Sequence, residues 1–304
     1  MILLNLPIAI FRYLGQLVGG LGAAIALAAA AVAKGGFGAA LGSPEGQRRA
    51  FAVLRAFQPN LVLSQVLVKA YDNTGTVIVS RRQDVREVLE RTGAEIAQAT
   101  GVKVVPIAAD LTTPHGRATA VGACAAPDIL VNNSQGPLPG NFRDWSRDDW
   151  IAALDDMMLG PIEMMRLTVD GMTARGFGRI VNIVSRSVKV PQAELGLSNG
   201  ARSGLVGFAG GLARQTAARN VTINNLLPGI FDSDAQHRHI RGMLEGTNKT
   251  FEQVFRERAA ASTAKRYGDP AEFGALCAFL CSTHAGYITG QNLLIDGGSY
   301  PGAF

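Results

Sequence analysis

Four places in the chain put a chemically useful residue directly after a short apolar run: Asp110, the stretch Asn132 to Gly136, Ser185, and Pro228-Gly229. A carboxylate there can accept from an amine or a hydroxyl, the amides can hold a polar group, and a serine hydroxyl can donate to a carbonyl oxygen. Cys277 and Cys281 stand four apart in FGALCAFLCS, on one helix face, and read as small core residues. No further ligand lies near them for a metal site. His237 and His239 are two apart, but no carboxylate or cysteine is placed to complete a site, so they read as a solvated loop and no metal is expected. His115 and His284 add little, and Trp145 and Trp150 flank an acidic-basic turn that reads as helix-start packing.

The elements that carry these residues alternate regularly from Gly101 onward. VKVVPIAAD, PDILVNN, GRIVNIVS, VTINNLLPG and NLLIDGG read as strands. Residues 147 to 172 read as one long amphipathic helix with Trp150, Leu154, Met157, Met158 and Ile162 on its apolar side. GARSGLVGFAGGLARQTAA reads as an apolar helix with small residues on one face. Nearly continuous apolar strands separated by helices predict an α/β fold, a doubly wound parallel sheet of Rossmann-like type covered on both faces. Ligands bind such sheets at the carboxyl ends of the strands, where the residues named above fall.

Composition narrows the function. The 304 residues suit one large α/β domain or two small ones. With 47% hydrophobic and 17% charged residues, wholesale disorder is excluded. The net charge is +5, but Lys and Arg are scattered and not interleaved with aromatics, so no nucleic-acid partner is expected. Three cysteines cannot build a disulfide framework, and a cytoplasmic location is expected. The first 43 residues are set apart. Leu14 to Ala33 carry no charge between Arg12 and Lys34. Three readings stand side by side: a membrane span, a secretory signal with Ala31-Val32-Ala33 as its cleavage site, and a buried or docked helix starting at Gly20-Leu21-Gly22. The stretch is rich in Ala and Gly rather than Leu, which favours the helix over membrane contact by residues 14–33.

From about Thr92 to Gly298 the chain resembles the short-chain dehydrogenases/reductases, especially the branch similar to 3-oxoacyl-carrier-protein reductases. The resemblance rests on Ala109-Asp110-Leu111, on Asp128 to Asn133 (DILVNN), on Gly178 to Ser185, on Asn224 with Pro228-Gly229, and on the closing Arg266 to Glu272, Gly290-Gln291 and Ile295 to Gly298. It implies a reductase that moves a hydride from NADP or NAD to a small ketone or 3-oxoacyl substrate. Asp110 and Leu111 would hold the adenine side, Asn132 and Asn133 would form the cofactor-side turn, and Pro228 and Gly229 would lie beside the nicotinamide. Ser185 matches the serine that orients the carbonyl. The family's proton-donating tyrosine falls thirteen residues later, where this chain has Ser198, and its lysine four residues on, where this chain has Arg202. Met157 stands where an asparagine supports a relay water, and Ser134-Gln135 replace Ala-Gly in the turn after Asn133. A serine hydroxyl is a poor general acid near neutral pH, and Arg202 keeps its charge but cannot share a proton. Ser185, Ser198 and Arg202 are therefore the candidate catalytic set of an altered site. The alternative is a non-catalytic relative serving as a binding or scaffold subunit.

The family also expects a glycine turn after its first strand, where the backbone approaches a pyrophosphate seated on a helix N-terminus. Gly20 and Gly22 can supply the last two glycines, but the first position is then Gln16. The next strand, Gly75 to Ser80, comes much farther along than one strand-turn-helix-strand unit spans. If that is the second strand, Arg81 can meet a 2′-phosphate and favour NADP; an exposed basic pair with Arg82 is the competing reading. GTVIVSRRQDVREVLER also resembles the leading portion of bacterial haem-thiolate monooxygenases, as an edge strand and helix, although Cys277 and Cys281 lack the ligand loop of those enzymes. The expected division is an apolar segment 1–43, a segment of uncertain origin 44–91, and a Rossmann-like domain 92–304, with a join near Thr92. A homodimer or homotetramer through the two long helices is what the resemblance implies.

Overall fold

The computed structural model describes residues 65–69, 75–80, 90, 93–94, 97–98, 103–124, 126–244 and 247–303. Seven described strands form one sheet: β1 (Gln65–Lys69), β2 (Gly75–Ser80), β3 (Val104–Ala108), β4 (Ile129–Asn133), β5 (Gly178–Ile183), β6 (Val221–Pro228) and β7 (Asn292–Ile295), in the order β3-β2-β1-β4-β5-β6-β7. The five strands expected from Gly101 onward and the strand at Gly75–Ser80 all form. β2–β3 and β4 through β7 pair in parallel, as expected of helix-covered strands.

β1 is the exception. It runs antiparallel to both neighbours, with Lys69 opposite Gly75 and Gln65 opposite Asn132. The reason lies in the connection. Residues 70–74 join β1 to β2, and a parallel pairing needs a crossover of a dozen or more residues. A link of this length closes only a hairpin. The sheet therefore reaches across the 91–92 division to Gln65, and its central slot is filled by a short apolar run, QVLVK, whose strand character the sequence reading did not single out.

Helices α1 (Pro114–Ala123), α2 (Arg147–Leu154), α3 (Gly160–Arg175), α4 (Gly196–Thr216), α5 (Asp234–Leu244), α6 (Phe251–Ala261) and α7 (Pro270–Cys281) cover the sheet or close its carboxyl edge. Their starts are specified locally. Ser146 and Asp149 form a capping box at α2, Thr250 and Gln253 at α6, and Asp269 and Glu272 at α7. Each such cap satisfies two otherwise orphaned N–H groups. α2 and α3 are joined by a π-helical turn at Asp155–Leu159, so the single long helix expected there is two helices with one wide turn between them. The main core packs Met164, Met165 and Met172 of α3 against Leu130, Ile180 and Ile223 of the sheet, with Leu205, Ala209 and Ala213 of α4. Cys277 and Cys281 are fully buried on α7, in keeping with core packing.

One polar feature runs through this apolar sheet. Asn132 donates to Asn182 at 2.8 Å, Asn182 donates to Asn225 at 3.0 Å, and Asn225 donates to Asn292 at 2.8 Å. The four residues lie opposite one another across β4, β5, β6 and β7. A one-residue slip of any strand would turn its asparagine to the other face and strand its neighbours, so the ladder fixes register. Asn182→Leu withdraws a partner from both Asn132 and Asn225. It is expected to lower stability by about 2–4 kcal/mol, read from the urea midpoint, because a buried unpaired amide costs more than a hydrogen bond gains.

Candidate active site

The carboxyl edge of β4 and β5 is tied together by one side chain. Arg202, on the second turn of α4, is buried, and its guanidinium donates to three oxygens: Nε to Ser198 Oγ at 3.1 Å, Nη1 to the Ile183 carbonyl at 2.9 Å, and Nη2 to the Ser134 carbonyl at 2.8 Å. Ile183 ends β5 two residues before Ser185, and Ser134 follows β4 directly. A planar fork of fixed donors can bridge three acceptors in this way, and a lysine ammonium cannot match it. Burial pushes the Arg202 guanidinium down to about 10, partly opposed by the charge of Asp156, so it remains a cation at neutral pH.

Ser198 lies one helical turn before Arg202 and is also buried. Its Oγ accepts from a cation, which leaves its own proton free to donate. Gly136 marks how closely the parts converge. A Cβ placed there would lie 3.8 Å from Met157 Sδ, 3.8 Å from Ser198 Oγ and 3.9 Å from Arg202 Nη2. Met157 thus approaches Gly136, as Ser198 and Arg202 do, and packs with Ala153, Leu197 and Ala201 as an apolar cluster. It reaches this point from the π-helical turn. The wide turn also exposes the Asp156 carbonyl, which accepts from Ser134 Oγ at 2.8 Å. Ser134 thus joins β4, α4 and the π turn. The sequence signal for it was its place after Asn132-Asn133, where the family has alanine.

Ser185 follows β5 in extended backbone and caps a short 3-10 turn, Arg186–Val188. Its Oγ accepts the Ser187 N–H at 3.1 Å and its side chain is half-buried, so its hydroxyl proton can point to a ligand at the strand end. Asn132 is buried and its Nδ2 belongs to the asparagine ladder; Asn133 is half-buried one residue on. Asn224, beside the ladder, is also structural: its Nδ2 donates to the Ile288 carbonyl and its Oδ1 accepts from the Gln291 N–H. Pro228 ends β6 and Gly229 follows it, and a Cβ on Gly229 would come within 2.7 Å of Asp296 Cβ. That glycine is demanded by the close approach of the turn after β7.

Asp110 sits at the end of β3, and its Oδ1 accepts from both the N–H and the hydroxyl of Thr112, at 3.0 and 2.7 Å. The turn is closed further by α1, where a Cβ on Gly116 would lie 2.0 Å from the Asp110 carbonyl. Leu111 is buried in the main core. Asp110 and Leu111 are on the far side of β2 and β1 from Ser185 in strand order. Gly20, Gly22 and Arg81 lie outside the described residues, as does the stretch 14–33. Among the described residues no helix is long and apolar enough to cross a membrane.

α5 and α6 stand over this edge in the segment after Gly229. His237 and His239 are on helix α5, not in a loop. His237 Nε2 pairs with Asp232 Oδ1 at 2.8 Å and packs edge-on against Phe251 and Phe255, which a solvated loop would not provide. Burial, with Arg258 nearby, lowers the pKa of His239 below the usual histidine value, while Glu194 acts in the opposite sense. Leu138 and Phe142, in the loop after β4, and Met243 of α5 are exposed, and a Cβ on Gly242 would lie 3.8 Å from Leu138 Cδ2. The loop after β4 and α5 thus meet as an apolar rim.

The arrangement is that of a known family. The family model described as enoyl-(acyl carrier protein) reductase matches residues 64–300, starting one residue before β1. The chain belongs to the short-chain dehydrogenase/reductase family. It is 28% identical over 240 residues to the NADPH-dependent reductase BacG of Bacillus subtilis, covering 77% of this chain and 92% of that protein. It is 33% identical over 177 residues to the acetoacetyl-CoA reductase of Cupriavidus necator, covering 58% of this chain and 67% of that one. The crystal structure of YwfH, an NADPH dependent reductase involved in bacilysin biosynthesis, superposes with a TM-score of 0.67 at 29% identity, covering 74% of this chain and 88% of that one.

For a nicotinamide dinucleotide of this reductase family, the two ends of the edge differ. At the nicotinamide end, the half-buried Ser185 and the buried cation of Arg202 fit a polar ring and a carbonyl beside it. At the diphosphate, β1 runs away from this edge and is followed in the chain by the short link to β2.

Proposed function

We propose that the chain reduces a small ketone or a 3-oxoacyl substrate with a reduced NADP or NAD as co-substrate, through an altered catalytic set. The observation that carries this reading is the bridge from Arg202 to Ile183, Ser134 and Ser198, which holds the Ser185 and Ser198 elements at one strand edge. A bound reduced nicotinamide supplies the hydride. The chain's own residues manage the oxygen. The Ser185 hydroxyl donates to the substrate carbonyl as negative charge grows on it. Ser198, polarised by the Nε–H of Arg202, is the second donor, and the buried cation stabilises the same charge. Neither serine is acidic enough to give up its proton near neutral pH, so the proton that ends on the product oxygen comes from water. The apolar rim of Leu138, Phe142 and Met243 supports a substrate with an aliphatic or acyl portion. The test is NADPH consumption with acetoacetyl-CoA or a simple 2-alkanone, with product identified by chromatography. No turnover above the buffer blank, with cofactor binding intact, would sink it.

The second reading, a non-catalytic binding subunit, is favoured by one observation: Met157 fills with thioether the place where a relay group would stand. Binding of a ketone without turnover would select it. Cofactor side-chain roles for Asn133 and Pro228 are part of the same proposal, with Ser185, Ser198 and Arg202 as the reacting set.

We also propose a homodimer or homotetramer, and a location in the cytoplasm, where buried cysteines stay reduced. The two-helix face supports the assembly. Trp150, Ile151, Leu159, Leu167 and Phe208 are exposed, and a Cβ on Gly207 or Gly211 of α4 would meet nothing within 4 Å. Apolar side chains beside such an open glycine surface suit close helix packing. Phe208→Arg is expected to shift the protein to monomer by light scattering; an unchanged mass would remove this face from the interface.

A further inference from the structure

We infer that this chain draws little affinity from the diphosphate and adenosine of a dinucleotide, so that reduced nicotinamide mononucleotide and NADPH bind with dissociation constants within about tenfold of each other. This rests on the reading that a reduced nicotinamide binds at the carboxyl ends of β4 to β6.

A parallel α/β sheet holds a dinucleotide's diphosphate through the strand in its central slot. That strand runs toward the ligand edge, turns through glycines, and feeds a helix whose N-terminal N–H groups face the phosphates. Here the central slot, between β2 and β4, is occupied by β1 in the opposite direction. Its carboxyl end, Lys69, lies opposite Gly75 at the edge away from Asn132 and Asn133. From Lys69 the chain returns straight into β2 through residues 70–74, too few for a crossover helix.

The end of β1 that does lie at the ligand edge is Gln65, opposite Asn132. The chain enters it from residues 47–64, which contain no glycine. Without glycine, a Cβ on every residue hinders the close backbone approach that a phosphate cradle needs. Gly20 and Gly22 precede Gln65 by about forty residues, so in chain order they do not follow the strand that fills the central slot.

At the adenine end the Asp110 turn is drawn inward on itself and on α1. Asp110 Oδ1 is engaged by Thr112, and Gly116 brings α1 against the Asp110 carbonyl. The groups able to meet a ligand are instead those around Ser185 and Arg202, at the nicotinamide end.

The experiment is isothermal titration of the full chain with NADPH and, separately, with reduced nicotinamide mononucleotide. A ratio of dissociation constants below about tenfold is expected. NADPH binding tenfold tighter or more would overturn the inference and leave the reductase reading standing. No heat with either ligand at millimolar concentration would overturn both, because the nicotinamide end itself would then be empty of function. A second titration uses Asp110→Ala: NADPH affinity unchanged within threefold is expected, and a larger loss shows that the adenine side contributes after all.

Discussion

Replacing Ser198 by Tyr and Arg202 by Lys together is expected to raise the rate of ketone reduction by roughly 10²–10³-fold at saturating reduced nicotinamide, the range a positioned general acid contributes. The argument follows from what each side chain can do. Ser198 can donate a hydrogen bond toward the developing oxyanion, but its proton is held too tightly to be transferred near neutral pH. A phenol is more acidic by several orders of magnitude, and a neighbouring ammonium lowers its pKa further. The position is right for the exchange, because Ser198 and Arg202 stand one turn apart on α4 and already hydrogen-bond. The exchange also has a structural cost. Lysine cannot bridge the Ile183 and Ser134 carbonyls that Arg202 holds at 2.9 and 2.8 Å, so the double variant should lose about 1–3 kcal/mol of stability. Ser198→Tyr with Arg202 retained separates the two effects: it keeps the bridge and gains only the acid. If neither variant gains turnover while both fold and bind the nicotinamide, Ser198 does not face the reacting carbonyl.

Ser185→Ala should lower kcat/KM by about 10²–10³-fold with little change in stability. Ser185 is half-buried at the strand end, and among the described residues its Oγ accepts the Ser187 N–H. Removing it therefore costs the fold at most about 1 kcal/mol. For the reaction the same hydroxyl matters more, because in the absence of a tyrosine it is one of two donors aimed at the charge that develops on oxygen. The effect should fall on kcat more than on KM, since the interaction strengthens as the charge grows. A loss below threefold would remove Ser185 from the reacting set. The loss should be smaller in the Ser198→Tyr background, where the phenol shares the oxyanion.

Much of this was legible before any tertiary structure. GRIVNIVS, VTINNLLPG and DILVNN are apolar runs too short for helices, and each ends in polar or turn residues suited to a strand edge; β5, β6 and β4 follow. The spacing from Ser185 to Ser198 and Arg202 pointed to a replaced acid, and Ser198 and Arg202 do hydrogen-bond, because an α-helix sets residues four apart on one face. Asparagines in four successive strands were visible as well, but their meaning was not. Only pairing in register puts Asn132, Asn182, Asn225 and Asn292 in one row.

What the chain alone determined, then, is which segments from Gly75 onward are strands and which edge residues they carry. What only the tertiary structure decided is direction and partnership. QVLVK has an apolar pattern that is the same read either way, so nothing in it says whether it runs with or against β4; the five-residue return to β2 and the vacancy between β2 and β4 decide that. Likewise, an arginine four residues after a serine implies one contact on a helix. Its bonds to Ile183 and Ser134, 19 and 68 residues away, exist only because the sheet brings two strand ends beneath α4.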